Sequence, residues 1–84
     1  MEFEFDKQKN RSNKEKHGID FVEAQTLWLD ISRVEIPART KDEPRTLVIG
    51  TINKKRWTAV VTYRGIKIRI LSARRSRPEE EQMY

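Results

Sequence analysis

The chain of 84 residues contains no cysteine, which excludes disulfides and thiolate metal sites. A reducing compartment such as the cytoplasm is therefore the expected setting. No apolar run comes near the roughly 20 residues of a membrane-spanning helix, so no membrane association is expected. The opening MEFEFDKQKN lacks an apolar core, so no secretory leader is expected either. Histidine occurs once, at His17, and no metal-ligand cluster is expected around it. The three glycines, Gly18, Gly50 and Gly65, stand far apart, which excludes a glycine-rich phosphate loop. No cofactor is expected. Aromatic residues make up 8%, too few to favour a base-stacking platform like those of RNA-recognition sheets. Repeats and linkers are absent, so residues 1–84 are expected to form a single domain. A domain this short buries only about 60% of its unfolded surface and should be modestly stable.

Acid is missing where base is concentrated. Residues 45–78 hold ten Lys or Arg and no Asp or Glu. Residues 1–20 balance five acids against five bases, residues 21–44 carry five against three, and residues 79–84 add three Glu. The net charge is +5, and charged residues make up 37% of the chain. A long basic segment with strand patterning points to a polyanionic partner, nucleic acid or an acidic protein. The alternative is a solvated basic surface that serves solubility.

The pattern predicts an α+β fold. Glu2 to Phe5 alternate polar and apolar, as in a short edge strand. Asp6 suits a helix N-cap, and KQKNRSNKEKH then forms a helix that is polar all round and marginal by itself. An Arg11–Glu15 pair would help slightly. Gly18 suits the C′ position of that helix. Asp20 and Glu23 form a capping box for a second helix, Phe21 to Leu29, with Ile19 and Ala24 at the staple positions. Trp28 reads as a core anchor. SRVEIPA is a short strand, with Val34 and Ile36 on one face. RTKDEPR is a polar loop. TLVIGTI, RWTAVVTY and IKIRILSA form an antiparallel meander, turning at NKK and at Arg64-Gly65. Ile66, Ile68 and Ile70 share one face with Val61 and Tyr63. Lys67, Arg69 and Leu71 share the other, with Thr58, Val60 and Thr62 beside Lys67 and Arg69, which makes a basic, hydroxyl-dotted platform. Ser76 and Glu79 read as a capping box opening a short C-terminal helix to Tyr84. The run ARRSR beside that helix is a plausible phosphate seat.

The chemistry left open is metal-free RNA cleavage. RNA supplies its own nucleophile, the 2′-hydroxyl, so the protein needs a proton-transfer group and cations for the pentavalent phosphate. Histidine is the usual proton-transfer side chain near neutral pH, so His17 suits the first task. Arg45, Arg69, Arg74 and Arg75 suit the second, because the guanidinium fork matches phosphate oxygens. Glu43 or Tyr84 would assist. Plain alternatives exist for each. His17, in the last turn of a helix, is a favourable cation without further chemistry. Arg45 pairs with a neighbouring acid, Arg74 and Arg75 bind an acidic protein, and Tyr84 packs.

FEFD followed by a polar helix ending in KHGIDF resembles the N-terminus of the BrnT toxin family. EIPARTKDEPRTLVIGTI resembles that family's acid-rich loop and the strand after it. YRGIKIRILSARRSRPEEE resembles its last hairpin and the start of its final helix. The resemblance runs through essentially the whole chain. It implies a compact RelE-like fold, with a short strand and two helices packed on an antiparallel meander sheet. It implies a bacterial type II toxin that cleaves RNA and arrests translation and growth. It further implies a BrnA-like antitoxin partner, with operator DNA bound only through the toxin–antitoxin complex. His17, Arg45, Arg69 and Arg74 fall in the matching motifs and become the active-site candidates. Lys14, Lys16, Lys67, Arg75 and Tyr84 extend the expected RNA path. The rival readings are a non-catalytic nucleic-acid-binding module and an inactive member that only sequesters an antitoxin.

Overall fold

A computed structural model describes residues 2–38, 40 and 42–84. Arg39 and Lys41 of the polar loop lie outside the described residues. The elements run β1 (Glu2–Glu4), α1 (Lys7–His17), α2 (Phe21–Ala24), β2 (Val34–Ala38), β3 (Arg45–Ile52), β4 (Lys55–Arg64), β5 (Lys67–Arg75) and α3 (Pro78–Met83). The strands form one sheet in the order β1-β5-β4-β3-β2. From β2 to β5 the sheet is the expected antiparallel meander. β1 lies at an edge but runs parallel to β5, so this α+β fold has a mixed sheet.

Ile19, Phe21, Ala24 and Leu27 pack on Val48, Ala59, Val61, Ile68, Ile70 and Ala73 to make the core. Phe21 is fully buried, which contributes about 2–3 kcal/mol. Its ring meets Phe5 edge-on at 5.6 Å, and Trp28 meets Phe3 likewise at 4.9 Å. The Asp20–Glu23 capping box forms in both directions. The helix it opens is shorter than expected: after Ala24 the chain tightens into a 3₁₀ turn, Gln25–Leu29. That turn sets Leu27 against Gly50, where a Cβ would lie 2.9 Å from Leu27 Cδ2. The β3 glycine thus leaves the room the leucine occupies.

Two turns fall elsewhere than the pattern predicts. The β3–β4 turn falls at Asn53 and Lys54, with φ of 49° and 67°. Both left-handed values mark a type I′ hairpin, which favours Asn-Gly. Lys54→Gly should therefore raise stability by roughly 0.5–1 kcal/mol, read as a higher urea midpoint at unchanged slope. The β4–β5 turn falls at Gly65-Ile66 rather than Arg64-Gly65, because Arg64 pairs with Lys67. Ile66 is consequently 78% exposed in the turn and does not join the isoleucine face. Tyr63 and Val61 still stand opposite Ile68 and Ile70, as the alternation required.

β5 carries a bulge. Val60 pairs with Ser72 and Val61 with Ile70, which leaves Leu71 without a partner on β4. The extra residue reverses the alternation beyond it. Ala73 therefore turns into the core beside Ala59. Arg69 and Arg74, at an odd separation, end on the same face, away from α1 and α2.

α3 packs on that second face. Its expected cap is displaced by one residue: Glu80, not Glu79, accepts the N–H of Arg77 at 2.8 Å. Ser76 does not cap, because its hydroxyl bonds that of Thr58 at 2.7 Å and its N–H bonds the Arg56 carbonyl at 3.1 Å.

Candidate active site

α1 has an unusual way of docking. Its sequence offers no apolar face, and Asn13 is its only buried residue. Asp6 caps the helix by accepting the N–H groups of Gln8 and Lys9 at 2.8 and 3.1 Å. Those two bonds, Lys9 first, hold the Asp6 carboxyl below its ordinary range, and the nearby Arg69 charge adds to the shift. At the other end Gly18 takes φ of 78° and donates to the Lys14 carbonyl. His17 thus stands in the last turn, as expected. Arg11 and Glu15 do not pair. Lys14 instead reaches Glu23 at 2.7 Å and ties α1 to α2. That contact raises the Lys14 ammonium and lowers the Glu23 carboxyl.

A groove of about 410 Å³ runs between α1 and β5. Lys9, Ser12, Lys16 and His17 line its helix side, and Leu71 and Ser72 line its strand side. The bulge at Leu71 therefore forms part of the wall. Ser72 stands opposite Val60, on the face that also carries Arg69. Asp6, close enough to Arg69 to feel its charge, borders the groove too. His17 and Lys16 line the groove with Leu71 and Ser72, and Ser72 shares its sheet face with Arg69.

Arg45 lies further across the same face. Arg69 pairs with Thr62, and continuing the β3–β4 register by one residue sets Arg45 on the far side of Thr62. The two arginines are two strands apart, about 9.5 Å between backbones. Thr62 between them is buried, with its hydroxyl donating to the Pro44 carbonyl at 2.7 Å. Thr58 is buried too, beneath Ser76 and Glu80. The hydroxyls of the expected platform are thus engaged, while Arg45 and Lys67 are exposed. Arg69 and Arg64 each hold Glu4 loosely, at 3.6 Å.

Arg74 is differently placed. Its two terminal nitrogens meet the two Glu80 oxygens at 2.7 and 2.8 Å. Glu80 also accepts from Thr58 at 3.1 Å. The Arg74 guanidinium is the main cause that brings the Glu80 carboxyl down to about 2. Arg75 stands opposite Trp57, on the helix-bearing side of the sheet, with its guanidinium 5.5 Å from that ring. Tyr84 lies away from the groove, with its hydroxyl on Asp30 at 2.5 Å and the Arg56 guanidinium 3.7 Å over its ring. Among the described residues no three His, Cys, Asp or Glu side chains gather as a metal ion would require. No helix of the described residues is long and apolar enough to cross a membrane.

A family model described as the ribonuclease toxin, BrnT, of type II toxin-antitoxin systems matches residues 5–80. The chain belongs to the BrnT family. No curated protein matches it. BrnT membership brings an RNA target and an antitoxin partner with it. The matched span contains His17, Lys16, Arg69, Arg45 and Arg74, and both walls of the groove. Lys9, Ser12 and Ser72, which also line the groove, were not among the sequence candidates. Lys9 and Lys16 lie seven residues apart, two helical turns on one face, and that spacing was a signal available in the sequence. Ser72 carried none, because only the bulge turns it toward the groove.

Proposed function

We propose that this chain is a single-domain, metal-independent endoribonuclease of RelE-like fold that acts in the bacterial cytoplasm. It cuts RNA, halts translation and growth, and is held in check by a BrnA-like antitoxin, which carries the complex to operator DNA. One observation carries this reading: the sole imidazole of the chain lines a groove together with Lys9 and Lys16, and Ser72 of its strand wall shares a sheet face with Arg69.

In this reading the 2′-hydroxyl attacks the adjacent phosphorus, the new 2′-O–P bond forms, and the P–O5′ bond breaks. His17 takes the 2′ proton or returns one to the leaving 5′ oxygen. Arg69 meets the charge that builds on the equatorial phosphate oxygens, and Lys9 and Lys16 hold flanking phosphates. Arg45 and Lys67 extend the track across the sheet face. Arg74 serves through the α3 anchor, unless RNA draws it from Glu80.

The test is cleavage of a defined RNA by the purified chain in excess EDTA, with His17→Ala beside it. We expect cleavage by wild type, ending in a 2′,3′-cyclic phosphate, and a loss of about 100-fold or more in the variant. RNA that is bound but left intact by the folded chain would favour a non-catalytic module, with affinity falling steeply as salt rises.

A further inference from the structure

We propose that Asn13 is a positioning residue for the groove: its side-chain amide fixes the spacing and rotation of α1 on β5, and so the place of His17. This rests on the groove reading above.

β1 pairs with β5 only from Lys67 to Arg69. Further along, at Ala73, the strand has no neighbour on that side. Asn13 supplies one. Its Nδ2 donates to the Ala73 carbonyl at 2.8 Å, and its Oδ1 accepts the Ala73 N–H at 3.2 Å. The carboxamide thus pairs with both backbone groups of one residue, as a peptide of an adjoining strand would. Nδ2 also donates to the Ile19 carbonyl at 2.8 Å, which closes the turn after the helix. The side chain is 7% exposed and its hydrogen-bonding capacity is largely met within the protein.

Two features make this contact a geometric control. α1 has no apolar stripe to fix its rotation, so directional polar contacts set it: Asn10 Oδ1 accepts the Phe21 N–H at 2.6 Å and Lys14 reaches Glu23, whereas the bonds of Asn13 reach β5. And Asn13 stands four residues before His17, on the same helix face, while Ala73 adjoins Ser72 on the opposite wall. One amide therefore joins both sides of the groove at the end where the imidazole stands.

Asn13→Leu keeps the branched outline, with bulkier ends, and removes all three bonds. Asn13→Asp keeps the acceptor and removes the donors, and carries the test if the leucine variant does not fold. Gly50→Ala, remote from the groove and strained against Leu27, serves as a destabilised control. All are compared at a temperature where circular dichroism shows each folded. We expect the Asn13 variants to lose about 100-fold in kcat with KM little changed, as for a displaced reacting group. We also expect the NMR signals of the His17 ring to move in them, while Gly50→Ala keeps both kcat and ring signals. Asn13 variants that match Gly50→Ala in kcat, with unmoved ring signals, would overturn the proposal. If His17→Ala cleaves like wild type, the groove reading fails. The ring signals then still decide whether Asn13 sets the imidazole's position.

Discussion

Arg69→Ala should lower kcat for RNA cleavage by about 100- to 1,000-fold while the chain stays folded. The two halves of that expectation have separate grounds. The fold should tolerate the change because the Arg69–Glu4 contact is loose, at 3.6 Å, with both side chains about one-third exposed. Exposed pairs of this kind contribute at most about 1 kcal/mol. Activity should not tolerate it, because no tight carboxylate pair engages the Arg69 guanidinium, which lies on the sheet face that carries Ser72 of the groove wall. Its loss leaves the pentavalent phosphate with only the more mobile lysines. Arg69→Lys should recover part of the rate, since it keeps the charge but not the planar fork. Single-turnover cleavage with a thermal melt beside it checks both halves. A folded Arg69→Ala chain that cleaves at the wild-type rate would remove Arg69 from the site.

Glu80→Ala should cost about 3 kcal/mol of stability, the low end for breaking a buried pair. The Arg74 and Glu80 side chains are only 19% and 6% exposed, so removing the carboxylate strands a guanidinium in a poorly solvated place. Thr58 and the N–H of Arg77 lose their acceptor as well. In a domain of this size the melting temperature should fall by about 15 °C. Glu80→Gln should lose less, because the amide oxygen still accepts. Acid should reproduce the effect. Folding lowers the Glu80 pKa from 4.5 to about 2, mainly through Arg74. The pair's contribution is therefore complete above about pH 4.5 and fades as pH falls toward 2. Wild type should lose stability across that window, and Glu80→Gln should lose visibly less. Parallel acid titrations of the two proteins would overturn the assignment.

These two residues show what was legible in the chain. Local rules gave Asp6, Gly18 and the Asp20–Glu23 box, because caps depend on neighbours in sequence. Alternation gave the face of Ile68 and Ile70, and with it the side of Arg69. The fate of Arg74 was not legible, for two reasons. The bulge at Leu71 reverses the parity of every later residue, and nothing in ILSA marks it. The carboxylate that engages Arg74 belongs to the first turn of α3, which read as a phosphate seat when its own acid was the occupant. The 3₁₀ turn after Ala24 was hidden too, since Leu27 keeps a core position under either helical geometry. The polar helix α1 read as marginal because its anchor, Asn13, looks like any exposed asparagine until Ala73 comes beside it.

That anchor gives α1 a thermodynamic character unlike the rest of the chain. Undocking α1 exposes amides and carbonyls but little hydrocarbon. Its heat-capacity change should be small, and its response to urea shallow, since both scale with the surface uncovered. The core around Phe21 will answer steeply to both. Under mild urea, amide exchange within α1 should proceed through an opening of low denaturant dependence, separate from global unfolding. The wall that carries the imidazole would then be the part of the chain that loosens on its own, while the sheet beneath it holds.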